Sequence, residues 1–113
     1  MADLSLTDDL THTQYKEEWQ GTTVIDVYDT ALYIGAEIFG RIDNATDAEM
    51  VRIALVNYGT DVGLDIRQIG VDNNYLNLVI SAAVSNGIAQ LTIQNTEGGE
   101  NNTLEYSVHR LTI

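Results

Sequence analysis

The chain has no cysteine, and Lys16 is the single lysine among its five basic residues. Without cysteine there is no disulfide, no thiolate nucleophile and no Cys-based zinc site. Stability must come from packing or from subunit association. A lone lysine, with no Gly-x-x-x-x-Gly-Lys and no Gly-x-Gly-x-x-Gly loop around it, leaves phosphate cradling and dinucleotide binding unsupported. Histidine is scarce too. His12 and His109 are the only imidazoles, and no Gly-x-Ser-x-Gly elbow accompanies them. Nucleophilic catalysis needs a nucleophile, a base and a group that orients the base, so a Ser–His mechanism has little to build on. No window approaches the ~20 apolar residues of a membrane-spanning helix. The opening "MADLSLTDDL" lacks the basic start and apolar run of a secretory signal.

What the chain does have is acid. Seventeen Asp and Glu against five Lys and Arg give a net charge of −12. Nucleic-acid affinity comes mostly from neutralising phosphates, so this surface repels DNA and RNA. Anionic membranes are disfavoured for the same reason. The expected partners are proteins with basic or polar faces, and the expected domain is soluble. At 113 residues there is one domain. Folding would bury about two thirds of the unfolded surface, enough for an independent core.

From residue 24 onward the dominant period is two, the mark of strands. "TVIDVY" (23–28) leads into "ALYIGAEIF" (31–39). "MVRIALVNYG" (50–59) is apolar on both sides, Val51, Ile53 and Leu55 opposing Met50, Ala54 and Val56, as in a central strand. "DVGLDIRQI" (61–69) alternates cleanly, with Val62, Leu64 and Ile66 inward. "YLNLVISAAV" (75–84), "IAQLTIQN" (88–95) and the terminal "NNTLEYSVHRLTI" (101–113) complete the series. Turn signals separate the runs, Asn86-Gly87 being the sharpest because both residues tolerate positive φ. About seven to eight short strands without intervening helices predict an all-β fold, an antiparallel β-sandwich of jelly-roll-like kind.

Three segments depart from simple alternation. Thr46-Asp47-Ala48-Glu49 fits a capping box, yet strand formers follow it. We read it as a turn before a strand, a helical start being the competing reading. In the terminal run the parity slips from Leu104, Tyr106 and Val108 to Leu111 and Ile113. That predicts a bulge near His109 and Arg110. Residues 1–20 are polar and aperiodic and read as an irregular N-terminal arm preceding a sandwich domain at 21–113. The arm is expected to make attachment or subunit contacts through Tyr15 and Trp19, its apolar anchors. Leu111 and Ile113 are the other candidate partner contacts, because a strand ending on apolar residues wants them covered.

Other constellations are better explained without chemistry. Carboxylates for glycoside hydrolysis are inevitable among seventeen, and a solvated acidic surface accounts for them. Calcium could draw on oxygen ligands at Asp43, Asn44, Asp47 and Glu49, at "DNN" (72–74) or at "EGGENN" (97–102). None of these loops has the EF-hand pattern, and polar turns explain the same residues. The sequons at Asn44 and Asn101 read likewise as turns. Tyr28, Tyr33, Tyr58, Tyr75 and Tyr106 lie on or beside strands, where core or subunit packing outweighs a glycan-stacking shelf. No catalytic residue, metal or cofactor is therefore expected.

The order of these motifs resembles a small all-β module recurrent in virion structural proteins of marine tailed phages, especially those of cyanobacteria. The resemblance runs over about residues 28–113. It rests on the Tyr-containing "DTALYIGAEIFGRI", the Asn-Tyr-Gly-Thr turn at 57–60, "IAQLTI", and a closing strand. On that strand Thr103, Leu104, Tyr106, Val108, Arg110 and Ile113 lie on the module's pattern across the parity slip. "DIRQIG" stands where the module carries a Glu-Tyr-Gly step. The resemblance implies an eight-stranded jelly-roll-like sandwich, without enzymatic activity, that assembles on a virion. Its partners would be capsid or other virion proteins. The leading expectation is a capsid decoration protein on the outside of a phage head, plausibly a homotrimer. The alternative is a receptor- or glycan-binding tip of a tail or fibre.

Overall fold

The computed structural model describes residues 14–70, 76–96 and 100–113. Within them eight antiparallel strands run in chain order: β1 (Gln14–Trp19), β2 (Thr22–Asp29), β3 (Tyr33–Asp43), β4 (Ala48–Tyr58), β5 (Asp61–Gly70), β6 (Leu78–Ser85), β7 (Ile88–Asn95) and β8 (Asn102–Thr112). They form a five-stranded sheet, order β1-β8-β3-β4-β5, and a three-stranded sheet, order β2-β7-β6. The β1–β8 and β2–β7 pairings nest the ends of the chain as a jelly roll does. The nesting goes no further, because β3, β4 and β5 follow one another as a meander in the wide sheet.

The turns follow local chemistry. Asn86 and Gly87 both have positive φ, 52° and 78°, and join Ser85 to Ile88 in a two-residue hairpin. Asn44 starts the β3–β4 turn. Its Oδ1 accepts from the Thr46 and Asp47 backbone N–H groups, and its own N–H donates to the Asp47 carbonyl. The capping-box segment is thus a turn running straight into β4, and Glu49 faces inward there. Its two carboxylate oxygens accept from the Leu76 backbone N–H at 2.8 Å and from Gln68 Nε2 at 2.6 Å. A strand wins because Val51, Ile53 and Leu55 can all be buried at a period of two.

The core lies between the sheets. Ile38, Ile42, Val51, Ile53, Leu55, Leu104 and Val108 of the wide sheet meet Ile25, Val27, Leu91 and Ile93 of the narrow one. Three strands cannot cover five. The inward residues of β5 (Val62, Leu64, Ile66) and of β6 (Leu78, Ile80, Ala82) are therefore only half-buried.

Two expectations are corrected. Residues 14–19 are not part of an irregular arm. They form β1, an edge strand paired along its whole length with Ser107–Asn102 of β8. Residues 1–13, including His12, lie outside the described residues. The bulge is also not on β8. His109 faces Glu37 and Arg110 faces Ala36 in unbroken register, and the irregularity falls on β3, between Tyr33 and Gly35. Arg110 occupies an inward position, and its Nε donates to the Val27 carbonyl at 2.8 Å. That carbonyl belongs to a bulge of β2, where the register shifts between Asp26 and Tyr28. An inward arginine resembles a break in apolar alternation, which is why the parity seemed to slip. Replacing Arg110 by leucine should cost about 1–3 kcal/mol, because the Val27 carbonyl would lose its donor between the sheets. Urea denaturation would register this as a lower midpoint, and an unchanged midpoint would show that water takes over the carbonyl.

Candidate functional surface on the wide sheet

With Arg110 inward, β8 alternates without interruption, and its odd-numbered residues face out. The outer face of the five-stranded sheet is then ordered in rows by register. Ser107, Phe39, Arg52 and Arg67 form one row, and His109, Glu37, Ala54 and Asp65 the next. Glu105, Arg41, Met50 and Ile69 lie on one side of this pair, and Leu111, Gly35, Val56 and Gly63 on the other.

This face gathers the chain's positive charge. Lys16, Arg41, Arg52 and Arg67 all point outward here, and Arg110 is the one basic residue elsewhere. Each is paired with an acid on the same face: Lys16 with Glu18 at 3.8 Å, Arg41 with Asp43 at 2.7 Å, Arg52 with Glu37 at 4.0 Å and Arg67 with Asp65 at 3.5 Å. Exposed pairs of this kind contribute at most about 1 kcal/mol each to stability. Their effect is on the surface itself: with Asp61 and Glu105 also outward here, six acids face four bases, much nearer balance than seventeen against five in the whole chain. Arg52 also lies over the Phe39 ring, 5.2 Å from its centroid.

Large apolar side chains are exposed among these charges. They include Ile34, Phe39, Met50, Val56, Tyr58, Ile69, Leu111 and Ile113, with Tyr58 91% and Ile113 76% accessible. A shallow depression lies among Phe39, Met50, Arg52, Arg67 and Ile69. Scattered apolar residues on a surface need no explanation, but this many on one sheet face set it apart from an ordinary solvated surface.

The four residues expected to touch partners divide. Leu111 points outward on the wide sheet, and Ile113, just past the end of β8, is exposed, so neither extends the core. Tyr15 is 37% accessible, and its ring stacks on Tyr106 at 5.3 Å within the same chain. Trp19 is 8% accessible and belongs to the core cluster, with Nε1 donating to the Gly21 carbonyl at 3.1 Å. It anchors β1 to its own domain. The acidic turn at 43–49 is engaged internally: Asp43 pairs with Arg41, Asn44 closes the turn, and Glu49 is buried. Among the described residues no three His, Asp or Glu side chains converge as metal ligands do. Residues 72–74 and 97–99 of the other two acidic loops, and Tyr75, lie outside the described residues.

The described tyrosines form no shelf. Tyr28 and Tyr106 are buried, Tyr33 packs edge-on against Tyr28, and only Tyr58 of the strand tyrosines described is fully exposed. Burial raises the Tyr28 hydroxyl above its ordinary pKa, and its O–H donates to Asn57 Oδ1 at 2.6 Å. Tyr106 is raised first by burial, then by the Glu17 charge and the neighbouring Tyr15, with Arg110 opposing. A phenol whose folded pKa exceeds its unfolded value stabilises the fold fully below the unfolded pKa of about 10 and loses that contribution as pH rises above it. In a spectrophotometric titration Tyr28 and Tyr106 should therefore ionise only as the protein unfolds in alkali. Their ionisation while circular dichroism stays that of the folded chain would contradict their burial.

Sequence reasoning missed Phe39, Met50, Val56, Tyr58, Ile69 and the three outward arginines as one surface. The signal is present in β4, apolar on both sides, a pattern that also fits burial on both sides. In a two-layer fold the second side faces outward.

The architecture defines the class: an all-β sandwich of eight antiparallel strands in two sheets. No family model matches the chain, and no curated protein sequence matches it. Among solved structures it is similar to the tailspike protein of Acinetobacter phage vB_ApiP_P1, with a TM-score of 0.50 and 10% sequence identity. The match covers 87% of this chain and 22% of the tailspike chain, so this chain corresponds to a limited stretch of that protein. At that identity the likeness is one of fold.

Proposed function

We propose that the chain is a non-catalytic structural module of a phage particle that assembles through the outer face of its wide sheet. The observation that carries this reading is the face itself: exposed Phe39, Met50, Val56, Tyr58 and Ile69, interleaved with the chain's outward basic residues. The virion setting draws on the sequence resemblance and on the fold shared with a stretch of a phage tailspike protein. The tailspike likeness favours a place on the tail. Decoration of the head is the second placement, the one the sequence resemblance suggests. Glycan binding has less support, because the strand tyrosines described are mostly turned inward.

Electron microscopy of the phage particle whose genome encodes the chain tests the reading. Density for the sandwich is expected on the tail. Density on the head would move the module to the capsid and keep its structural role. A particle that lacks the chain would refute the proposal.

A further inference from the structure

We infer that the outer face of the five-stranded sheet is a self-association surface, covered in solution by the same face of a second copy about a twofold axis. The inference deepens the assembly reading above and is independent of where on a phage the module sits. The occupant is identified by charge. A chain at −12 repels its own copies over most of its surface. Four of its five basic residues lie on this one face, each beside an acid, so a second copy can approach here with least repulsion. A strongly basic partner would instead be drawn to the acidic remainder of the surface.

The residue order is self-complementary. Consider a twofold axis lying in the interface and running across the strands, between the row of Ala54 and Asp65 and the row of Arg52 and Arg67. It would set Asp65 of one copy against Arg67 of the other, joining opposite charges. One row further out it would bring Val56 onto Met50, and Ile69 into the space left by Gly63. Beyond these, Tyr58 would lie over Ala48. Along β4 and β5, large side chains thus meet small ones and acid meets base. In an isologous contact such reciprocity must come from a single sequence. Five strands about 4.8 Å apart and about ten residues long offer roughly 750 Å² in plan, close to the ~800 Å² per partner of a stable interface. Two equally twisted sheets also stack naturally face to face.

The absence of cysteine makes the test clean. Ala54 lies beside the proposed axis, so Ala54→Cys should be joined to its mate by a short bis-maleimide. Tyr58→Cys lies on the same face but about 30 Å from its mate, and should not be joined. Sedimentation equilibrium of the unmodified chain should give twice 12.4 kDa. Val56→Glu, an exposed change that leaves the core intact, should shift the chain to monomer while its circular dichroism stays that of the parent. A monomeric or trimeric parent would overturn the twofold. So would a dimer in which Ala54→Cys fails to cross-link, Tyr58→Cys cross-links equally, or Val56→Glu has no effect.

Discussion

Replacing Asn102 by leucine is expected to remove about 3–5 kcal/mol of folding stability, the largest loss from any single polar side chain here. Asn102 is 1% accessible, and both ends of its amide are used. Oδ1 accepts from Asn95 Nδ2 at 2.8 Å and from Asn44 Nδ2 at 3.3 Å, while Nδ2 donates to the carbonyls of Trp19 and Glu100, both at 3.2 Å. One side chain therefore joins β7 of the narrow sheet, the end of β1, the β3–β4 turn and the entry to β8. Leucine would fill the volume but answer none of these groups. Each buried polar group left without its partner costs about 1–3 kcal/mol. Against a total of about 5–15 kcal/mol, the change removes a large share of the stability. Urea denaturation should show the midpoint falling steeply. A loss below about 1 kcal/mol would mean that water enters and replaces the amide.

Gly40→Ala should be nearly as damaging, for a steric reason. Gly40 is an inward position of β3 paired with Tyr106. A β-carbon there would lie 2.7 Å from the Glu105 carbonyl oxygen, 2.7 Å from Tyr106 Cβ and 3.0 Å from a Leu104 methyl. Two of these belong to the backbone or its first side-chain atom, so relief requires β3 and β8 to move apart. Alanine gains about 0.4–1 kcal/mol by restricting the unfolded chain. Overpacking of a close contact costs about 1–3 kcal/mol or more. The clash wins, and a net loss of about 2 kcal/mol is expected. Gly63→Ala provides the comparison. Its nearest neighbour would be a Val56 methyl at 3.1 Å, the movable end of an exposed side chain. It should change stability by less than about 0.5 kcal/mol. Equal effects at the two glycines in denaturant titrations would show that loss of glycine flexibility, not contact, sets the cost.

Seven of the strands, the Asn86-Gly87 hairpin and the inward faces of β4 and β5 are legible in the sequence, because alternation and turn chemistry act between near neighbours. β1 is not. "QYKEEW" has polar residues on both sides and owes its extended form to the β8 backbone, with Tyr15 on Tyr106 and Trp19 in the core. Nor is the bulge placed correctly from sequence. Arg110 breaks the apolar pattern of β8 but keeps its register, since a carbonyl of β2 in the other sheet receives its guanidinium. Asn102 and Glu49 read as turn and cap residues, and become buried joints only when segments distant in the chain converge on them.

The candidate surface divides in the same way. Composition determined that the chain is acidic and cysteine-free, alternation determined that it is built from strands, and the periodicity of β4 showed two apolar sides. Only the tertiary structure decided which side a second layer covers. Three strands over five can bury one side alone, so Leu111, Val56 and Met50 come to share the uncovered face with Arg41, Arg52 and Arg67. That grouping depends on the pairing of β8 with β3, residues some seventy apart in the chain, and no local pattern encodes it.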